Sequence, residues 1–434
     1  MDQMKVWDSP ISLKEVTHLG QEPFYKKSYQ DRLTEISERH HLTAQETAQL
    51  MALANERDGQ LVENYLTTYG LPEGIATGIR VNGVTHDVPM VVEEPSVIAA
   101  ASNGGKMTAL GGGMTATVLN RQLTGQIVFQ KVTHPADLAA KLTQLAPEIL
   151  KTANAAHPSV LTHGAGATDI RVRPMAPDWV SLDLQVDVGE AMGANTMNTM
   201  LEAVAAWLTP QVNAPILMSI LSNYATECLT TATVKIPVAA VATKTLSGAT
   251  VAAQIAAASQ FAKVDSYRAA THNKGIMNGV DAVLIAMGND WRAAESGIHA
   301  YAARNGQYEG LSTWRVENEM LSGELTLPLA VGFVGGAINM LPLSRLNQQI
   351  AGVETARELM MLAVSVGLAQ NLSALRALVS DGIQQGHMRL QYKSLAVTAG
   401  ATTDEVPTLV AKLTAVSHAD LATAQELLQE LRQE

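Results

Sequence analysis

A single cysteine, Cys228, stands in the 434 residues, so neither an intrachain disulfide framework nor a cysteine-based zinc site is available. Its setting, Tyr-Ala-Thr-Glu-Cys-Leu-Thr-Thr, supplies no cation to lower a thiol pKa, and the residue reads as structural. Charge is scarce too: 16% of residues are charged against 47% apolar, the balance of a well-packed chain rather than a disordered one. Positive charge is the scarcer sign. A formal net charge of −11 argues against a general binder of nucleic acid or anionic membrane, so an anionic substrate must be caught by local Lys or Arg.

The opening Met-Asp-Gln-Met-Lys-Val-Trp-Asp lacks the apolar core of a signal peptide, which makes the cytoplasm the expected location. One uncharged stretch, residues 325–344, is about long enough to span a bilayer. Pro328, Pro342, three glycines and Asn339 make it a better buried strand and turn. A phosphate loop is absent as well: Gly104-Gly-Lys-Met has Met107 where Ser or Thr should follow the lysine, and Ala100 where the first glycine belongs. No Gly-x-Ser-x-Gly elbow occurs.

What the chain does contain is a set of isolated charged and polar side chains. From Tyr267 to Asp290, Arg268, Lys274, Asn278 and Asp290 stand among Ala, Gly, Met, Val and Ile. A charge in apolar surroundings is costly unless it is paired or needed for chemistry. At Glu93-Glu94-Pro95 two adjacent carboxylates join an apolar strand to an Ala-rich helix. Neighbours in sequence cannot share a face, so one points outward and one inward, where burial would raise its pKa. Taken alone, a helix-dipole role explains such a carboxylate equally well.

The order of elements is legible. Residues 28–59 read as two helices, the second opened by the capping box Thr43-Ala-Gln-Glu46. Ile79-Arg-Val-Asn-Gly-Val-Thr reads as a hairpin. Beyond Gly111-Gly-Gly113 come a strand at 124–132, one amphipathic helix at 135–156, strands at 169–175 and 179–188, and a helix at 194–208. Residues 330–337 read as a strand. The whole is α+β: a large, Ala-rich, mostly helical domain from residues 1–112 and 217–380, a small inserted domain at 113–216 with split-βαβ, ferredoxin-like order rather than Rossmann order, and a mobile helical C-terminal domain at 381–434. Gly382 and Gly386 flank the entry to that last part, with His387 as an acid or base near neutral pH. The turn Gly189-Glu-Ala-Met-Gly193-Ala-Asn195 opens a helix and would present N–H groups to a pyrophosphate.

Several long motifs in register extend this reading: Glu93-Glu-Pro-Ser-Val-Ile-Ala-Ala-Ala-Ser102, Gly189 to Asn195, His272-Asn-Lys-Gly-Ile-Met-Asn-Gly-Val-Asp-Ala-Val283, Gly288-Asn-Asp290, Gly367-Leu-Ala-Gln-Asn371 and Gly386-His-Met388. With these the chain resembles the class II, bacterial-type 3-hydroxy-3-methylglutaryl-coenzyme A (HMG-CoA) reductases over most of its length. The resemblance implies reduction of HMG-CoA by two reduced nicotinamides to mevalonate and CoA. It assigns Lys274 as the cation facing the carbonyl oxygen, Glu94 as proton donor, Asp290 as the group between them that tunes both, and His387 as the acid for the leaving CoA thiolate. Ser96, Arg268, Asn278, Asn223 and Gln370 would hold the substrate, and Gly189, Glu190, Met192, Gly193 and Asn195 the cofactor, with no metal.

The small domain would then bind the cofactor and the large one the substrate, in a homodimer or a hexamer of three dimers with the site near a subunit boundary. The family commonly has Asp where Glu190 stands, one methylene shorter. No acid lies near residues 152–158 to hold a ribose 2′-hydroxyl; Lys151, Asn154 and His157 do, which favours NADPH, with NADH the alternative. A CoA-ester hydrolase or acyltransferase, a non-catalytic nucleotide-binding relative, and the mevalonate-oxidising direction are the competing readings.

Overall fold

The computed structural model describes residues 22–162, 164–380, 392–416 and 419–433. The chain divides at Leu71/Pro72 into two compact units, so residues 22–71, which composition assigned to the large domain, cluster as a unit of their own. In the first unit, helices α1 (Tyr29–Arg39) and α2 (Ala44–Ala52) begin at Ser28 and Thr43. Both hydroxyls accept a backbone N–H of the first turn, and Glu46 completes the box at Thr43.

The second unit opens with the hairpin β1 (Glu73–Val81) and β2 (Val84–Val91). Asn82 and Gly83 both have positive φ, at 49° and 87°, as a two-residue type I′ turn requires. Helix α3 (Ser96–Ala109) follows, then β3 (Thr115–Val118) and β4 (Leu123–Phe129). The single helix expected at 135–156 is two, α4 (Pro135–Gln144) and α5 (Ala146–Ala156), because Pro147 in the first turn of α5 cannot continue a preceding helix. After α6 (Pro158–Leu161) come β5 (Gly166–Met175), β6 (Trp179–Asp187), α7 (Ala194–Leu208) and β7 (Ile216–Ser222).

One four-stranded sheet runs β5-β6-β4-β7, antiparallel throughout. Residues 217–222, which composition placed in the large domain, are therefore the edge strand of this sheet. β3, placed in the small domain, pairs instead with β8 (Leu229–Pro237). Apolar content could not reveal either assignment, because the partners lie roughly 90 to 115 residues away along the chain.

Both faces of β6 are covered. Leu182, Leu184 and Val186 pack against the helices, each worth about 1.5–3 kcal/mol. On the other face Asp183 is fully buried and accepts from Arg173 (Nε, 2.5 Å), Arg171 (Nη2, 3.1 Å) and Ser181 (2.6 Å). Burial works to raise the Asp183 pKa, but hydrogen bonds from Arg173 and Ser181 outweigh it and hold the carboxyl below its ordinary range.

The rest of the unit is built from α8 (Gly248–Val264), α9 (Ser266–Ala286), α10 (Trp291–Ala302), β9 (Ser312–Glu317), β10 (Met320–Pro328), α11 (Pro342–Ala351) and α12 (Ala356–Leu378). A second sheet runs β3-β8-β10-β9. Residues 330–337 form no strand: β10 ends at Pro328, and only Val334 makes a bridge, to Ala191.

Helix α12 is largely apolar, is buried on nearly all sides through its middle, and lies in the core against α3, α9 and the second sheet. Among the described residues it is the helix long and apolar enough to cross a membrane, yet 83% of its most apolar window is buried, which makes it a core helix. Gly104 explains the failed phosphate loop: a Cβ there would lie 2.0 Å from the Ala369 carbonyl, so glycine lets α3 touch the α12 backbone. Beyond residue 391, helices Val406–Ala415 and Leu421–Gln433 close a small core of their own around Leu409, Leu413 and Leu428.

Candidate active site

Helix α9 carries the site's charges on a partly exposed face. Asp265 starts it by accepting the Arg268 N–H (2.6 Å), and His272, Ile276, Val280 and Val283 turn inward. Lys274 and Asn278, one turn apart, lie on the outer side. The Lys274 ammonium reaches Glu94 Oε2 at 3.2 Å across 180 residues of sequence. Glu94 Oε1 accepts the Ser96 hydroxyl at 2.7 Å, at the first residue of α3. Three predicted residues thus form one chain of bonds, with Glu94 turned partly inward and Glu93 exposed.

Nearby groups are left unengaged. The Arg268 Nε is buried without a partner, and desolvation lowers the guanidinium's pKa. Gln370, 4% exposed on α12, has an unpartnered Oε1 and packs its Cβ against Gly279. A buried guanidinium nitrogen and a buried amide oxygen without partners are groups that an anionic, hydroxyl-bearing ligand could satisfy. The Asn223 carbonyl packs against Gly297 of α10.

Asp290 does not join this group. It caps α10, accepting Ala293 N–H at 3.1 Å, and pairs with Arg292 at 3.2 Å. Twelve residues of continuous helix separate Lys274 from Ala286, a rise of about 18 Å, and Asp290 follows that end. Within one chain, then, Asp290 is not among the groups bonded to Lys274 and Glu94. His387, Gly382 and Gly386 lie outside the described residues.

Asp290 instead borders a cleft of about 490 Å³ with Met192, Gly193, Asn195, Gly335 and Leu341. Gly193, at φ 92°, turns the chain into α7, whose start has no side-chain cap. Its first N–H groups are free to meet a phosphate. Glu190, assigned to the cofactor from sequence, does not line this cleft; its carboxylate accepts the Ala356 N–H at 2.5 Å, at the start of α12. Asn154 also departs from its expected use, because its side chain both accepts from and donates to the Ala167 backbone. Among the described residues, no cluster of three His, Cys, Asp or Glu could hold a metal.

Sequence reasoning missed the support beneath Lys274. His272 Nε2 meets the Ser312 hydroxyl at 2.7 Å, and Ser312 and the Trp314 indole both donate to Asn371 Oδ1. His272 and Asn371 stood inside quoted motifs, so the signal was present but unassigned. Arg121, 5% exposed, gave no signal at all. Cys228 is buried, and desolvation pushes its thiol up to about 11, as its structural reading expects.

Burial, with Arg268 and Lys263 nearby, lowers the His272 pKa from 6.5 to about 3. The unfolded chain then binds a proton that the folded chain refuses between these values. Stability is complete above pH 6.5 and falls by about 1.4 kcal/mol per unit as the pH drops towards 3. From pH 6.5 to 5 the expected loss is about 2 kcal/mol in urea titrations, and His272→Gln should flatten that slope.

This arrangement activates no nucleophile. A cation paired with a carboxylate, and a separate cleft at an uncapped helix start, are compatible with carbonyl reduction by a nucleotide-borne hydride, a class of oxidoreductase. Comparison with known families identifies which one. Residues 28–392 match the hydroxymethylglutaryl-coenzyme A reductase family, and the chain belongs to it, in its class II, bacterial-type branch. A curated relative, the 3-hydroxy-3-methylglutaryl-coenzyme A reductase of Archaeoglobus fulgidus, is 39% identical over 94% of both chains. Among solved structures, the Streptococcus pneumoniae enzyme is 45% identical with a TM-score of 0.74, covering 94% of this chain and 99% of that one. A class II structure from the same organism, bound to NADPH in open conformations, is 46% identical with a TM-score of 0.73, over 94% and 100% of the two chains. The enzyme reduces HMG-CoA to mevalonate with NAD(P)H.

Proposed function

We propose that NADPH is the reductant, seated at the Gly189–Asn195 turn, and that the reaction is completed between two copies of the chain. The observation that carries the reading is the Ser96–Glu94–Lys274 chain of bonds, together with the unpartnered Arg268 Nε and Gln370 Oε1. Arg268 holds the substrate carboxylate, with Ser96, Asn278 and Gln370 on its hydroxyl and carbonyl groups. Bound NADPH supplies hydride. Lys274 stabilises the oxygen anion as it forms, and Glu94 delivers a proton to that oxygen. His387 protonates the departing CoA sulfur.

About 18 Å of helix keeps Asp290 from the Lys274 of its own chain, so the Asp290 that tunes Lys274 and Glu94 comes from a second copy. The sheet β5-β6-β4-β7 then serves as a ferredoxin-like cofactor domain inserted in the substrate-binding body, with the C-terminal helices as a flap. We take the site of action to be the cytoplasm. The uncapped start of α7 fits a dinucleotide phosphate, and Lys151 on α5 is free to meet a 2′-phosphate, now that Asn154 is committed to β5. In an assay of NADPH oxidation at 340 nm with HMG-CoA, two NADPH should be consumed for each free CoA thiol released. Thiol release without oxidation would support a hydrolase, and a strong kcat/KM preference for NADH would remove the cofactor reading.

A further inference from the structure

The cofactor turn is gripped from behind by groups outside the cleft. Besides the bond from Ala356 N–H to the Glu190 carboxylate, the Glu190 carbonyl accepts Phe333 N–H (2.7 Å) and Val334 N–H (3.3 Å). The next carbonyl, of Ala191, accepts Arg121 Nη2 at 3.0 Å, and the same nitrogen donates to Val331 O at 2.8 Å. Asn289 bonds in both directions to the Gly332 backbone, and a Cβ at Gly332 would come within 2.4 Å of Met192 N. The lining of the cleft begins at Ala191 and excludes Glu190 and Arg121.

Each contact has a physical reason. Ala356 is the first residue of α12, so its N–H lacks a helical acceptor, and Thr355 and Glu358 spend their side chains on each other's N–H groups. A carboxylate arriving there makes a charge-assisted bond at the positive end of a 23-residue helix. Arg121 is nearly enclosed, and burial works against its charge, opposed by nearby Glu190 and Asp187. Such a cation is retained where it fixes geometry rather than where it adds stability.

We propose that Glu190 and Arg121 are positioning residues of this reductase: they clasp the cofactor turn to the start of α12 and to the 331–334 loop, and Glu190 does not touch the cofactor. The extra methylene of Glu190, relative to the aspartate expected in this family, gives the reach for that bond. Helix α12 also carries Gln370, so the clasp ties the cofactor seat to a helix that holds the substrate. The inference rests on reading the Gly189–Asn195 turn as that seat.

Three variants test it by steady-state kinetics, each first checked for an unchanged cooperative thermal transition. Glu190→Asp keeps the charge and loses about 1.5 Å of reach. Glu190→Gln keeps reach and an acceptor oxygen. Ala356→Pro deletes only the donor: proline suits a first helical position, and Thr355 is already extended at φ −137° and ψ 158°.

Glu190→Asp and Ala356→Pro should each raise KM for NADPH about tenfold, with KM for HMG-CoA changed less than about twofold. Their NADPH:NADH selectivity should match the parent's, and Glu190→Gln should lose less than Glu190→Asp. The double variant Glu190→Asp/Ala356→Pro should be no worse than either alone. A changed NADPH:NADH ratio in Glu190→Asp, or an unaffected Ala356→Pro, overturns the clasp. If Asn195→Ala raises KM for NADPH while Ala356→Pro does not, the clasp alone fails. If neither moves it, the cofactor seat is elsewhere and both readings fall.

Discussion

Lys274→Met enzyme turns over HMG-CoA about 10²–10³-fold more slowly than its parent, while KM for HMG-CoA changes little. Methionine keeps most of the side chain's length and removes its charge, so the loss isolates the electrostatic role. The lysine is 63% exposed in the single chain, where a solvent-exposed ion pair such as Lys274–Glu94 contributes little to stability. Thermal unfolding should therefore be nearly unchanged by the substitution. Lys274→Arg, which restores charge in a broader, planar form, should recover only part of the rate. Full turnover by Lys274→Met would contradict the assignment outright.

The second expected result concerns mixed dimers. Lys274→Met and Asp290→Asn enzymes are each nearly inactive, yet hybrids of one copy of each recover activity. The Lys274–Glu94 pair forms within one chain, and Asp290 follows the far end of α9, about 18 Å of helical rise beyond Lys274. A site built from both copies then pairs the intact lysine of one with the intact aspartate of the other. In a two-fold dimer one site of each hybrid is whole, and random pairing makes half the dimers hybrid, so co-expression should give about a quarter of parental activity. Differential tags would purify the hybrid itself and raise that share to about half. Hybrids as inactive as either parent would mean that each site draws both residues from one chain.

Much of this could be seen in the order of residues because local chemistry specifies it. The start of α2 follows from a capping box, the β1–β2 turn from Asn-Gly, and α7 from a glycine turn followed by an apolar period. The Glu94–Lys274 pair was visible only through long motifs, since no periodicity links groups 180 residues apart. What escaped was set by tertiary partners. β7 reads as generic apolar chain until β4 accepts it as an edge, and residues 330–337 look like a strand although no neighbour pairs with them beyond one bridge. Glu190 was read by its motif as a cofactor ligand, and only its distance to Ala356 showed where the carboxylate goes.

The burial of α12 bears on how the chain reaches its fold. α3, α9 and the strands of the second sheet, which cover this helix, all precede it in sequence. During synthesis the 23 apolar residues of Ala356–Leu378 therefore emerge after the surfaces that will enclose them. A circular permutant that begins at Thr355 would reverse that order. It would release from the ribosome, first and uncovered, a helix long and apolar enough to be taken for a membrane span.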